Sequence, residues 1–94
     1  MANYLLSYDL NGSDPTHEDM DDHLDDSGWE TARILETVWY IGAEATKKQV
    51  YEYVNSILSK NDRIIVAPVS DASFRNLLIS GVDFREAWKR NKVA

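Results

Sequence analysis

The residue with the clearest chemical potential is Asp9, a carboxylate at the end of a short apolar segment. The run Tyr4–Leu10 (YLLSYDL) is followed by Asn11–Ser13 (NGS), a turn-forming sequence. A carboxylate at a loop mouth can bind a hard divalent cation such as Mg²⁺ or Mn²⁺. It can also accept the backbone N–H groups of residues 11–13. The sequence leaves both roles for Asp9 open, metal ligand and loop anchor.

Charge is distributed unevenly along the 94 residues, which carry a net charge of -6. Nine acidic residues and no Lys or Arg precede Arg33, whereas ten basic and seven acidic residues occur from Arg33 onward. Phosphate binds through basic side chains and is repelled by like charge, so nucleic acid is disfavoured at the first helix and, if it binds, is expected at the second part. The candidate nucleic-acid contacts are Arg33, Lys47, Lys48, Arg75, Arg85, Lys89, Arg90 and Lys92.

Residue content excludes several function classes. The chain has no Cys, so a disulfide framework and a thiolate metal site are both ruled out. No apolar run approaches the roughly 20 residues of a membrane span, and no signal-peptide pattern opens the chain. A cytoplasmic location without membrane contact is therefore expected. The sequence also lacks a nucleophile–His–acid constellation and a phosphate-binding loop, so Mg²⁺ or Mn²⁺ is the only cofactor that the residues suggest.

The first part of the chain predicts a strand followed by a helix. Residues 3–10 are expected to form a central strand, because both faces carry bulky side chains. The helix covers residues 15–27 and ends before Gly28, which suits a left-handed position after a helix. It has two alternative starts, Asp14-Pro15 and a capping box of Thr16 with Asp19.

The second part predicts a hairpin, a second helix and a last strand. Residues 31–41 are β-branched and aromatic but too long for one strand, so a break is expected near Glu36-Thr37. A capping box of Thr46 with Gln49 starts a helix within residues 45–59. Residues 63–69 form the last strand, with Pro68 at its edge or end.

This order of elements predicts a ferredoxin-like βαββαβ α+β fold, with a four-stranded antiparallel sheet and two helices on one face. One domain is expected over residues 1–94, with a core over 3–70 and an appendage over 71–94. The appendage is predicted to hold a short strand (76–79) and a helical turn (83–89), packed on its own sheet or on a partner's. We expect a second copy to cover the other sheet face. The core or dimer aromatics are Tyr4, Tyr8, Trp39 and Trp88.

Three segments together resemble the second CRISPR-associated adaptation protein, Cas-two, and its stand-alone SinR-like relatives. They are Tyr4–Leu10, Leu35–Ile41 (LETVWYI) and Asp62–Val66 (DRIIV), which are similar to the family's first strand, short hairpin and last core strand. The resemblance covers residues 3–70 in order and spacing. It implies a ferredoxin-like homodimer that stacks its open sheet faces, here as a member outside CRISPR loci.

The resemblance also implies a role for Asp9. In the family, the Asp that ends the first strand meets its dimer mate near a divalent metal, and in some members this pair supports endonuclease activity. In the CRISPR setting the dimer is instead a scaffold between integrase subunits. Members that handle nucleic acid carry Arg and Lys after this Asp, whereas residues 11–27 contain seven acidic residues and no basic one.

Three functions are compatible with these features. The first is a homodimeric binding or assembly module. The second is a weak Mg²⁺-dependent endonuclease, acting on RNA or DNA through paired Asp9 carboxylates. The third is an acidic inhibitor or docking protein that binds a basic partner through the helix over residues 15–27. Charge distinguishes them, because a nuclease is expected to have a basic rim around Asp9.

Overall fold

The computed structural model describes residues 2–91, so the candidate contact Lys92 lies outside the described part. Its four strands form one antiparallel sheet in the order β2-β3-β1-β4, and β1 is central as predicted. None of the described helices is long and apolar enough to cross a membrane. The elements in chain order are β1 (Ala2–Asp9), α1 (His17–Asp25), β2 (Glu30–Leu35), β3 (Val38–Ala43), α2 (Lys47–Asn55), β4 (Arg63–Pro68) and α3 (Gly81–Arg90).

The strand pairing explains where α1 and α2 lie. Neighbouring strands are antiparallel throughout, so β1 and β2 run parallel with β3 between them. In the same way, β3 and β4 run parallel with β1 between them. Each of α1 and α2 therefore connects two parallel strands across one intervening strand, which makes two interlocked split βαβ units.

Local sequence sets the helix starts and the hairpin. The Thr16 hydroxyl accepts the Asp19 N–H at 3.1 Å, and the Asp19 carboxylate accepts the Thr16 N–H at 2.9 Å. The Thr16 start of α1 is thus the right one of the two predicted, and Thr46 caps α2 in the same way. The predicted break at Glu36-Thr37 is confirmed as the turn between β2 and β3. Gly28, with φ 81°, occupies the left-handed region after α1.

One core lies between the sheet and the pair α1 and α2. Alternate β1 side chains point to this face, and the predicted aromatics Tyr4, Tyr8 and Trp39 are all buried in it. Side chains of both helices complete this core, and Tyr53 of α2 packs against it while partly buried. The fully buried contributions from α1 and α2 are Met20, Leu24, Val50 and Val54.

A second core lies on the opposite face, where the appendage packs on its own sheet, one of the two predicted alternatives. The α3 helix, with Phe84 and Ala87 buried and Trp88 packed beside them, covers Ile34 and Tyr40 of its own sheet. The β2–β3 half of this face is therefore covered within one copy. Each large ring buries substantial apolar area, and this favours packing on the nearest apolar surface, which belongs to the same chain.

The predicted appended strand over 76–79 is wrong. Asn76 has φ 53°, a left-handed conformation that interrupts extended backbone. The segment makes bends instead, and its Leu78 N–H donates to the Ile34 carbonyl at 2.9 Å. It therefore lies along the outer edge of β2 without forming a strand.

The β1–β4 half of the second face is left partly uncovered. Leu5 and Ser7 of β1 are half-buried there, and Ile65 of β4 is 63% exposed. We call Leu5, Ser7, Ile65 and Ala67 the open strip. Asp9 lies at one end of this strip, because it shares the face of Leu5 and Ser7 at period two along β1.

Candidate functional site

Asp9 is the last residue of β1 and lies opposite Arg63 in the β1–β4 register. Its Oδ2 atom is 3.8 Å from Nη1 of Arg63, and both side chains are largely exposed. Together with Ser7 and Ile65 they line a shallow depression of about 220 Å³. Asp9 is thus solvent-accessible and paired with the Arg63 guanidinium, at the end of the open strip.

The structure tests the fit of a metal ion at Asp9. Within residues 2–91, no three His, Asp or Glu side chains come together in a way that could hold an ion. A hard cation such as Mg²⁺ takes several oxygen ligands. Asp9 supplies one carboxylate, so a site there requires a second carboxylate from another copy together with waters.

Arg63 is a site residue that sequence reasoning missed. It is not among the expected nucleic-acid contacts, and nothing in the sequence pairs it with Asp9, which is 54 residues away. Only the register of β1 against β4 brings the two residues together. The rim of Asp9 therefore carries a positive charge next to the acidic loop and helix.

The loop after β1 is held by Asp62 and not by Asp9. The Asp62 carboxylate accepts the N–H of Asn11 and the N–H of Ser59, each at 2.8 Å. These two donors lower the pKa of Asp62. No loop N–H donates to Asp9 among the described residues, so the loop-anchor role predicted for Asp9 belongs to Asp62.

The basic residues expected to contact nucleic acid do not form one surface in the described part of the chain. Arg85 and Lys89 share a depression of about 220 Å³ with Phe74 and Trp88, and the Arg85 guanidinium lies 5.2 Å from the Phe74 ring centre. Lys47 and Lys48 lie at the start of α2, on the opposite side of the sheet. The exposed Arg75 lies in the segment before α3.

Two of the basic residues expected to contact nucleic acid instead link secondary-structure elements to each other. Arg33 donates to Asp21 at 2.8 Å, and its guanidinium lies 5.5 Å from the Trp39 ring centre. Arg90 pairs with Glu30 through two donated hydrogen bonds. Arg33 thereby links the sheet to α1, and Arg90 links α3 to β2, so both already have carboxylate partners.

The acidic residues of the first helix and its loop surround a third depression, of about 430 Å³. His23 in this depression is a structural residue. Its ring stacks on Tyr53 with centres 4.0 Å apart, and its Nε2 lies 2.6 Å from the Tyr53 carbonyl. Nε2 must donate there, so His23 joins α1 to α2. The acidic members of the lining are Asp14, Asp19, Asp22 and Asp26.

A buried polar cluster fastens α3 to the sheet, and no sequence pattern indicated it. The Tyr40 hydroxyl donates to Asn3 Oδ1 at 2.6 Å and accepts from Asn91 Nδ2 at 3.2 Å. Burial raises the pKa of Tyr40 to about 12. A Cβ at Gly42 would lie 2.6 Å from this hydroxyl and would overlap the Asn91 side chain. Gly42 therefore gives Asn91 the space it occupies.

Comparison of the chain with protein-family models, with curated proteins and with solved structures gave no match. The fold and site define a small α+β domain with an antiparallel sheet, one covered face, one partly covered face and an exposed carboxylate at the end of the open strip.

Proposed function

We propose that the chain is a homodimeric binding or assembly module with a ferredoxin-like fold, similar to Cas-two and its stand-alone relatives. The two interlocked split βαβ units support the fold assignment, because they are the defining connectivity of that arrangement. The observation that carries the proposal is the open strip, where β1 and β4 leave apolar surface without cover from α3.

The open strip favours a second copy on energetic grounds. Ile65 is 63% exposed although it lies in the middle of β4. Fully burying an Ile side chain stabilises by about 1.5–3 kcal/mol relative to leaving it exposed. A two-fold dimer buries the same residue in both copies, so each copy contributes to the association.

Sedimentation equilibrium over a range of micromolar concentrations tests the proposal. The expected mass is twice the 10.8 kDa of one chain. A mass of one chain throughout the range would overturn the homodimer. The described α3 helix would then be all that covers the sheet face opposite α1 and α2.

A second candidate function is a divalent-metal-dependent endonuclease, and the exposure of Asp9 beside Arg63 favours it. Paired Asp9 carboxylates would hold Mg²⁺ or Mn²⁺, which polarises a phosphoryl oxygen and activates water. Arg63 would supply positive charge for the phosphate. Cleavage of RNA and DNA with each metal should then be lost in Asp9→Ala and Asp9→Asn. Equal activity in the wild type and both variants would remove this function.

A third candidate, docking of a basic partner, is favoured by the acidic depression around His23. Four carboxylates at one surface would attract a Lys-rich segment in a salt-dependent manner. A titration with a Lys-rich peptide tests it, comparing the wild type with Asp14→Asn, Asp22→Asn and Asp26→Asn combined. Asp19 is kept because it caps α1. Binding that is equal in both proteins would contradict this function.

A further inference from the structure

The two edge strands of the sheet differ in how they are protected. β2 carries charged Glu30 and Arg33, and its register shifts between Arg33 and Leu35. The outward carbonyl of Ile34 accepts the Leu78 N–H. Charges, bulges and covering segments are the devices that prevent an edge strand from pairing with another chain.

β4 has such devices only at its two ends, the charged Arg63 and Pro68, within the described residues. Its middle, residues 64–67, is the uncharged sequence Ile-Ile-Val-Ala, and its register against β1 is continuous. No backbone hydrogen bond from another described segment reaches its outer edge. An exposed, apolar and regular edge of this kind is a template for strand addition.

The hydrogen-bonding direction along β4 follows from one bond beyond its end. The Val69 N–H donates to the Asn3 carbonyl at 2.9 Å, continuing the β1–β4 register by one residue. Backbone groups alternate in direction along a strand. Residues 63, 65 and 67 therefore face β1, while Ile64 and Val66 direct their N–H and C=O groups outward. Pro68, which has no backbone N–H, also faces outward, so β1 loses no hydrogen bond there.

We propose that two copies join edge to edge through β4 and form one continuous eight-stranded antiparallel sheet. The two-fold axis passes beside Ile65. Ile64 of each copy then pairs with Val66 of the other, and all of their outward N–H and C=O groups are satisfied. This proposal depends on the homodimer proposed above and specifies the strand that forms it.

The pairing is complementary to itself, which is why the occupant is a second copy. Residues directly opposite in a non-hydrogen-bonded pair have Cα atoms about 4.5 Å apart, so the two exposed Ile65 side chains bury each other. Arg63 of one copy lies opposite Ala67 of the other, and like charges do not meet. Both copies contribute the same β4 residues to the contact, as an isologous interface requires.

The edge dimer has a consequence for Asp9. Asp9 is level with Arg63 and thus two residues from the axis, and β1 lies one strand further from it than β4. With strands about 4.8 Å apart and a rise of about 3.3 Å per residue, the two Asp9 residues are about 20 Å apart. They cannot share one metal ion in this dimer. Edge pairing and a paired-Asp9 nuclease therefore exclude each other.

Matched substitutions test the edge. Ile65→Lys places two ammonium groups face to face and should raise the dimer dissociation constant about tenfold or more. Leu78→Lys and Val82→Lys change side chains of similar exposure, 59% and 61%, away from β4, and should leave it unchanged. Sedimentation of all four proteins measures this. If Ile65→Lys does not weaken the dimer, pairing through β4 is overturned but the homodimer is kept. If the wild type is monomeric, both proposals are overturned.

Hydrogen exchange gives a readout that does not depend on any variant folding. In the wild-type dimer, the outward amides of Ile64 and Val66 should be protected as strongly as the inward amides of Ile65 and Ala67. Dilution to the monomer should remove the protection of the outward Ile64 and Val66 amides and leave that of the inward amides unchanged. Outward amides that exchange rapidly in a sample shown to be dimeric would contradict the edge and indicate contact through the sheet face.

Discussion

The Asp62 carboxylate accepts the backbone N–H of Asn11 at 2.8 Å and thereby fastens the loop after β1 to the loop before β4. The same carboxylate accepts the Ser59 N–H, so one side chain holds both loops. A short acidic side chain commonly satisfies backbone donors in turns. Asp9, the neighbour of this loop in sequence, is free of that task and is paired with Arg63 instead.

Asp62→Ala should therefore lower the thermal midpoint, and the effect should depend on pH. The two N–H donors depress the pKa of Asp62 below its ordinary value of 3.8. A depressed carboxyl pKa contributes stability above the unfolded value, which is lost as pH falls through the folded pKa. The difference in thermal midpoint between the wild type and the variant should be largest at neutral pH and should disappear in acid. Thermal denaturation followed by circular dichroism over that range measures it.

The control for this experiment is Asp25→Ala, which removes a carboxylate from the last turn of α1. No hydrogen bond involves the Asp25 side chain in the described part of the structure, and negative charge near a helix C-terminus is unfavourable. This variant should not lose stability at neutral pH. A pH-independent loss in Asp62→Ala would show that the carboxylate charge is not what holds the loops.

Arg63→Gln should have little effect on folding. The pair with Asp9 is 3.8 Å long and its side chains are 76% and 62% exposed. Exposed ion pairs of this kind contribute about 0–1 kcal/mol. Urea denaturation should give a free energy of unfolding within about 0.5 kcal/mol of the wild type. A larger loss would mean that the pair is shielded from solvent, for example by a second copy.

Tyr40→Phe should destabilise the fold by about 1–3 kcal/mol, because it leaves a buried polar partner of the hydroxyl unsatisfied. That hydroxyl bonds Asn3 and Asn91 and is fully buried. Tyr51→Phe is the matched control, since Tyr51 is 42% exposed. Urea denaturation of both variants should separate them. Equal stabilities would show that the cluster does not hold α3 on the sheet.

The same residue predicts a loss of stability in alkali. The pKa of Tyr40 is raised from 10.0 to about 12. A raised folded pKa contributes stability below the unfolded value, and this is lost as pH rises through the folded one. The contribution should be lost between pH 10 and 12. Thermal midpoints across that interval should fall less steeply in Tyr40→Phe than in the wild type.

Gly42→Ala should destabilise by about 1–3 kcal/mol, since an added methyl group overpacks a filled site. The added Cβ would overlap the Asn91 side chain. Shortening that side chain in Gly42→Ala with Asn91→Ala should recover part of the loss. A double-mutant cycle measures this coupling, and strictly additive effects would show that the two residues do not compete for space.

The sequence by itself determined most of the local elements, although not the ends of α1 and α2 or the segment 76–79. Thr16 and Thr46 cap the two helices because their hydroxyls satisfy N–H groups three residues later, which is a property of nearby residues. The break at Glu36-Thr37 and the end position of Pro68 follow in the same way. The apolar run over residues 3–10, closed by the turn sequence Asn11–Ser13, also placed Asp9 at a strand end. These features require no knowledge of the rest of the chain.

The tertiary structure alone decided which distant residues meet. Arg63 reaches Asp9 through the β1–β4 register, and Asp62 takes over the loop because the two loops lie side by side. The α3 helix packs on its own sheet through Phe84 and Ala87, and Asn91 donates to the buried Tyr40 hydroxyl. Such contacts depend on the sum of many packing energies over residues far apart in sequence. No local pattern of residue types encodes that sum.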